Sequence, residues 1–297
     1  MDCDYPFQVK LKQPRIRILA NGQQYEDDYS FVPCGRCSNC MKTRIQSWVF
    51  RLEQELKVSQ TSRFMTLTYN DLHLPYTKTG LSTLVKEDLQ KFFKRLRHYQ
   101  KITLGKNDLE RGLRLATKPI KYYAVGEYGE DGRPHYHIIL YNVGSLESIY
   151  NAWDKGIIHN GTVTPKSMAY CAAYINKMEK TPIKESDQLP QFSLMSKGLG
   201  AEFMTEEIRD NIRDVNNYVL TGQGHKIAIP RYYKNAKQLP SKLSGVDLIT
   251  LRHKGIDARK EREAKLRKKY GNDYDKLVSS GKLTRALMQK IDKKLRK

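Results

Sequence analysis

The sequence predicts an α+β fold, a small antiparallel sheet with helices packed on one face. Three observations carry this. Residues 122–128 and 135–141 are strand-forming runs on either side of the turn-rich Gly-Glu-Asp-Gly-Arg-Pro at 129–134, a hairpin pattern. Stretches with helical apolar periodicity lie at 39–60, 86–100 and 146–153. From residue 64 to 178 the order is strand, helix, two strands, helix, strand, helix, which suits a small antiparallel sheet with helices laid against it.

Taken in order, residues 1–31 carry little pattern beyond Val9, Leu11, Ile16 and Ile18, which favour strands. Met41, Ile45, Trp48, Val49, Leu52 and Leu56 form one apolar stripe and predict a helix from 39 to 60. Residues 64–69 predict a strand closed by Asn70-Asp71, and 71–84, with Pro75 and Gly80, a loop. Leu89, Phe92, Phe93 and Leu96 predict a helix over 86–100, with Lys91, Lys94, Arg95 and Arg97 on its outer surface; the polar stretch 101–120 reads as a loop. After the hairpin, Leu146, Ile149, Tyr150 and Trp153 mark a helix that Gly156 is expected to end. Residues 157–163 read as a strand. Pro165 precedes a helix carrying Met168, Ala172, Ala173, Ile175 and Met178. Residues 193–200 read as a flexible polar run and 202–220 as helical. Leu266, Leu277, Leu283, Leu287, Ile291 and Leu295 indicate helical pieces in a basic tail with seventeen Lys/Arg against six Asp/Glu over 252–297. Four segments result: an N-terminal Cys-cluster segment and helix (1–60), a core (61–180), an extension (181–250) and the basic helical tail (251–297).

The 297 residues carry a formal charge of +21, which favours a polyanionic partner, most simply nucleic acid. No run approaches the ~18 apolar residues of a membrane span, and the first twenty residues lack the apolar core of a secretory signal. No Gly-x4-Gly-Lys-Ser/Thr phosphate loop is present, which argues against a built-in helicase of that kind.

Chemistry concentrates in three places. His135 and His137 stand two apart on a predicted strand, so both imidazoles leave the same face and can clamp a divalent ion. If the hairpin pairs residue 127 with 135, Glu127 joins them; a one-residue slip would turn it away. Tyr170 and Tyr174, four apart on a predicted helix, share a face with Lys177. A tyrosine can act as a covalent nucleophile, and a neighbouring cation can steady a phosphate. Of five cysteines, Cys34, Cys37 and Cys40 fall in a C-x2-C-x2-C run that favours a thiolate metal cluster over a disulfide framework. A structural Zn²⁺ wants four ligands, with Cys3 the first candidate for the fourth and His73 and His98 poorer ones. Lys197, between Ser196 and Gly198, and Arg231 and Lys234, interleaved with Tyr232 and Tyr233, are candidate phosphate contacts.

His135-Tyr136-His137 resembles the His-hydrophobic-His motif of the HUH endonucleases, and Tyr170-x3-Tyr174-x2-Lys177 their two-tyrosine motif. Residues 64–69 resemble the strand motif that precedes both, and the order agrees. Pro33-Cys34-Gly35-Arg36-Cys37-x2-Cys40, with Arg44, Trp48 and Arg51, and Ser196-Lys197-Gly198-Leu199-Gly200 are similar to signatures of the microvirus replication initiators, gokushovirus branch. The resemblance spans residues 33–200. It implies a ferredoxin-like sheet whose histidine face looks toward the tyrosine helix. It implies Mg²⁺ or Mn²⁺ at His135, His137 and Glu127, and attack on single-stranded origin DNA by Tyr170 or Tyr174, with Lys177 positioning the phosphate. A 5′-phosphotyrosine link and a free 3′-hydroxyl would follow, priming rolling-circle synthesis and later strand rejoining. The implied partners are the phage origin and the host helicase and DNA polymerase, and the implied location is the host bacterial cytoplasm. Which tyrosine attacks first stays open.

A basic, zinc-bearing nucleic-acid binder without catalysis explains the charge and cysteines equally well. It does not predict two histidines, two tyrosines and a lysine at face-sharing spacings.

Overall fold

The computed structural model describes residues 3, 5–18, 24–111, 118–177, 186–209, 218–234, 260–261 and 263–275. The chain forms two compact units, Met1–Ser47 with Met204–Lys297, and Trp48–Phe203.

In the first unit, β1 (Phe7–Ile18) and β2 (Gln24–Val32) pair antiparallel, in register from Phe7 opposite Val32. α1 (Ser38–Val58) starts in this unit and its sequence continues into the second. The second unit then runs β3 (Ser62–Tyr69), α2 (Lys86–Arg111), β4 (Lys121–Tyr128), β5 (Pro134–Tyr141), α3 (Leu146–Ala152), β6 (Gly156–Gly161), α4 (Pro165–Lys177) and β7 (Phe192–Met195). Back in the first unit, β8 (Tyr218–Leu220) and β9 (Lys226–Ala228) make a short hairpin.

The five strands of the second unit form one sheet in the order β6-β3-β5-β4-β7, every pair antiparallel. The α+β class and the order of elements over 64–178 are as expected, but the helices do not keep to one face. Met65, Leu67, Ala124, Tyr136, Ile138 and Leu140 pack with Leu89, Phe92, Phe93 and Leu96 of α2 and Ile149 and Ala152 of α3. The alternate residues Tyr123, Val125, Ile139 and Tyr141 pack with Leu52 of α1 and Met168, Cys171 and Tyr174 of α4. The reason lies in β5, where residues 138–141 are apolar at every position rather than every second one. A strand of that kind needs cover on both sides, and each fully buried large side chain contributes about 1.5–3 kcal/mol.

Other expectations are also corrected. The polar stretch after residue 100 continues α2 to Arg111, because Lys101–Arg111 contains good helix formers and Gly105 is its sole weak point. Gly156 opens β6 instead of ending α3, which stops at Ala152. With φ of 156°, Gly156 lies so close to β3 that a Cβ would collide with the Thr68 carbonyl oxygen and the Asn70 amide. Residues 193–195 belong to β7 and pair with β4, so that part of the polar run is ordered by ladder hydrogen bonds. Residues 218–220 form β8 rather than helix, as β-branched and aromatic Tyr-Val-Leu would favour. Of the apolar positions expected in tail helices, Leu266 falls in a described helical stretch; Leu277, Leu283, Leu287, Ile291 and Leu295 lie outside the described residues. No described helix is long and apolar enough to cross a membrane.

Candidate active site

The β4–β5 register pairs Glu127 with His135 and Val125 with His137, so Glu127, His135 and His137 share one sheet face. That face is the one covered by α4. Glu127 is buried, and its Oε1 sits 2.7 Å from His135 Nε2 and 2.6 Å from His137 Nε2. The opposite ring nitrogens are also held. His135 Nδ1 lies 3.1 Å from the Arg133 carbonyl, and His137 Nδ1 lies 2.9 Å from Thr66 Oγ1 on the neighbouring strand. Phe64 stacks on the His137 ring at 5.7 Å and 8°. Anchoring of the far nitrogen fixes ring orientation in metal-binding histidines.

Electrostatics follow from this packing. Burial pushes the Glu127 carboxyl up, but hydrogen bonds from His135 and His137 outweigh it and hold the group at about 2. Burial lowers the His135 pKa, yet Glu127 and the Arg133 carbonyl more than compensate and raise it. Both His135 nitrogens thus face acceptors, the arrangement of an imidazolium. Glu127 Oε2 is buried and has no hydrogen-bond partner. An unpaired buried carboxylate oxygen is costly unless a cation sits beside it. The three donor atoms fall within 4.8 Å of one another, so the set fits a divalent ion. Two imidazoles and a carboxylate suit Mn²⁺ and admit Mg²⁺.

α4 begins with reciprocal bonds between Thr164 and Ser167: Ser167 N donates to Thr164 Oγ1 at 3.1 Å and Thr164 N to Ser167 Oγ at 2.8 Å. Pro165 is its first residue. The helix delivers Tyr170 to the cluster, where the hydroxyl donates to Glu127 Oε1 at 3.0 Å and lies 3.5 Å from His137 Nε2. Tyr174 is one hydrogen bond behind, its hydroxyl donating to that of Tyr170 at 2.7 Å. Cys171, on the same helix, is fully buried; burial pushes its thiol well above the usual range, which makes it a core residue rather than a reactive one. Lys177 is the last residue of α4, and its side chain lies outside the described residues.

Two segments that the sequence set apart prove to touch. Arg51 of α1 donates twice to the Leu199 carbonyl, at 3.1 and 2.9 Å, and Glu55 accepts from the Gly200 amide at 2.7 Å and pairs with Lys121 at 2.9 Å. Gly198 and Gly200, with φ of 71° and 72°, make the turn that Arg51 and Glu55 clamp. Leu199 is buried in the same apolar cluster as Tyr174, and Lys197 is exposed at the turn. The roles of Thr66, Phe64 and Arg133 were not anticipated. The signal for Thr66 and Phe64 was available: with β3 beside β5, alternate residues 64 and 66 must flank the histidines, as Thr66 opposite His137 does.

Elsewhere, Cys3, Cys34, Cys37 and Cys40 gather in the first unit with all four sulfurs within 4.8 Å of one another, and neither His73 nor His98 belongs to the group. Arg231 is exposed, Tyr232 half-buried and Tyr233 buried, so Tyr233 is a packing residue; the Lys234 side chain lies outside the described residues.

Comparison with known proteins agrees with this picture. The family model for the replication-associated protein ORF2 family matches residues 62–179. The chain is 31% identical over 267 residues to replication-associated protein ORF2 of Spiroplasma virus 4, covering 78% of this chain and 79% of that one. It is 27% identical over 256 residues to replication-associated protein VP4 of Bdellovibrio phage phiMH2K (79% and 76% covered). It is 24% identical over 266 residues to replication-associated protein ORF4 of Chlamydia phage 1 (79% and 61%). No solved structure matches it. The chain therefore belongs to the replication-associated protein ORF2 family, as a microvirus-type replication initiator like those of small single-stranded DNA phages.

Proposed function

We propose that this initiator opens a single strand at its replication origin by tyrosine transesterification, in the manner of the HUH endonucleases it resembles. The observation that carries the reading is the meeting of His135, His137 and the Tyr170 hydroxyl on one oxygen of a buried, ionised Glu127. A nucleophile beside a divalent-ion donor set is what phosphoryl transfer from DNA needs.

Tyr170 attacks first. Its oxygen is in contact with the donor set, whereas Tyr174 reaches that set through Tyr170. The phenolic oxygen bonds to phosphorus and the bond from phosphorus to the 3′ oxygen breaks. The phenol proton ends on that oxygen, leaving a 5′-phosphotyrosine and a free 3′-hydroxyl; the polarity comes from the family resemblance. No water is consumed, so the link keeps the energy needed to rejoin the strand. Glu127, held at about 2, is too weak a base to strip the phenol; its hydrogen bond aims the oxygen. Mg²⁺ or Mn²⁺ held by His135, His137 and Glu127 supplies Lewis-acid stabilisation of the charge developing on the phosphate. Tyr174 stands ready for a second cleavage and rejoining. Lys177, Lys197, Arg231 and Lys234 hold phosphates along the strand, within the general attraction of a chain of charge +21. The free 3′ end is handed to host helicase and DNA polymerase in the bacterial cytoplasm. In this reading residues 61–180 are the endonuclease core, 181–250 an extension that meets DNA and 251–297 a basic arm.

The test is covalent capture. Labelled origin-strand DNA and Mn²⁺ are incubated with the protein, and label is sought on the denatured chain. An adduct present in the wild type and absent in His137→Ala supports the reading. Cleavage without an adduct makes water the nucleophile, and DNA binding with neither leaves a non-catalytic binder.

A further inference from the structure

We infer that Cys3, Cys34, Cys37 and Cys40 form a closed mononuclear zinc site, separate from the catalytic centre, that staples the base of the β1–β2 hairpin to the start of α1.

The sulfur geometry is that of a single tetrahedral ion. Zinc–thiolate bonds of about 2.3 Å place neighbouring sulfurs roughly 3.8 Å apart. Cys34 and Cys40 stand at 3.9 Å, as do Cys37 and Cys3. A disulfide would need about 2.05 Å, and all five cysteines are free. Cys3 and Cys37 are buried and the other two half-buried, which leaves no open position for a substrate. Structural zinc sites are closed in this way, whereas catalytic ones keep a fourth position free.

The backbone is also turned toward charged sulfur. Cys34 N points at Cys3 Sγ (3.1 Å), Arg36 N and Cys37 N at Cys34 Sγ (3.4 and 3.3 Å), and Cys40 N at Cys37 Sγ (3.5 Å). A neutral thiol is a weak acceptor; four amides directed at three sulfurs is the second shell that a metal thiolate requires. Gly35, with φ of 75°, makes the tight turn between Cys34 and Cys37, a conformation strained for any residue with a Cβ. Cys40 lies in the first turn of α1, where exposed amides favour an anionic ligand and no acidic residue competes.

The placement explains the site's purpose. Cys3 and Cys34 bracket the whole hairpin, whose first ladder pair is Phe7 with Val32. That hairpin leaves Phe7, Val9, Tyr29 and Val32 exposed, and a two-stranded ribbon with so little cover is marginal on its own. One ion joins both of its ends to α1. The fifth cysteine, Cys171, sits in the other apolar core and takes no part.

The experiment measures metal in the full-length protein, purified without chelator, and needs no activity. Expected are about one zinc per chain and, after exchange for Co²⁺, the near-ultraviolet thiolate charge-transfer bands and intense visible bands of a tetrahedral thiolate site. Zinc should fall to background in Cys34→Ser/Cys40→Ser and stay at the wild-type level in His135→Ala/His137→Ala. Wild-type zinc under about half an equivalent, or zinc that survives the cysteine double variant, would overturn the assignment. So would zinc that leaves with the histidines, or fewer than five thiols titrated in the denatured, chelated wild type. Because the histidine variants abolish the catalytic donors alone, failure of the zinc site and failure of the nicking mechanism are read separately.

Discussion

The two donor clusters of this chain make an instructive pair. The thiolate cluster is assembled from sequence neighbours plus one distant cysteine, in loops and a helix start, and its sulfurs satisfy one another and the local amides. The histidine–carboxylate cluster is assembled by strand register and a helix crossing a sheet, and leaves a buried carboxylate oxygen unpaired. The first is complete in itself, and the second waits for an ion and a phosphate. Local sequence suffices to build a structural site, whereas a site that must bind and release substrate draws on rigid elements far apart in the chain.

Four predictions break or sharpen that contrast. The largest effect belongs to His137→Ala, which should lower DNA nicking by at least ~10³-fold and abolish stabilisation of the protein by Mn²⁺ in thermal melts, with zinc content unchanged. Next, Cys37→Ser should lose the zinc and make residues 5–32 sensitive to limited proteolysis, while Mn²⁺ still raises the melting temperature. Third, Thr66→Val removes the oxygen that holds His137 Nδ1 and should weaken Mn²⁺ binding about 10–100-fold, measured by titration calorimetry.

The smallest is a pH effect. Glu127 is depressed from 4.5 to about 2, so its contribution to ion-free stability is complete above about 4.5 and lost as pH falls through about 2. His135 is raised from 6.5, so its contribution is complete below 6.5 and fades as pH rises through the raised value. The ion-free pair is therefore strongest between about 4.5 and 6.5. The ion competes for the Nε2 that carries the imidazolium proton. The rise in melting temperature with Mn²⁺ should accordingly be larger at pH 8 than at pH 6; the reverse order would contradict the donor assignment.

The contrast also explains what could be read in advance. The hairpin, its 127–135 pairing and the tyrosine helix were legible because each rests on local periodicity and on turn residues such as Gly132 and Pro134. The cysteine group was legible from spacing, including the long reach to Cys3. The two-sided burial of the sheet was missed because α1, which covers the histidine face through Leu52, precedes the sheet in sequence and carries no local mark of where it packs. The clamp of Arg51 and Glu55 on residues 199–200 joins positions almost 150 apart, which no window along the chain reveals. Gly156 misled because the rule for a glycine after a helix competes with the demand of a strand edge that backs onto β3. Side chains that hold others in place, such as Thr66, are chosen by register, and register exists only after strands pair.

The central claim is that the hydroxyl aimed by Glu127, that of Tyr170, makes the first covalent bond to DNA. The direct measurement is to trap the first-turnover adduct on single-stranded origin DNA with Mn²⁺, digest it, and locate the modified tyrosine by mass spectrometry in the wild type, Tyr170→Phe and Tyr174→Phe. The account predicts DNA on Tyr170 in the wild type and in Tyr174→Phe, and loss of the first adduct in Tyr170→Phe. DNA on Tyr174 in the wild type, with Tyr170→Phe still forming the adduct at the normal rate, would contradict it.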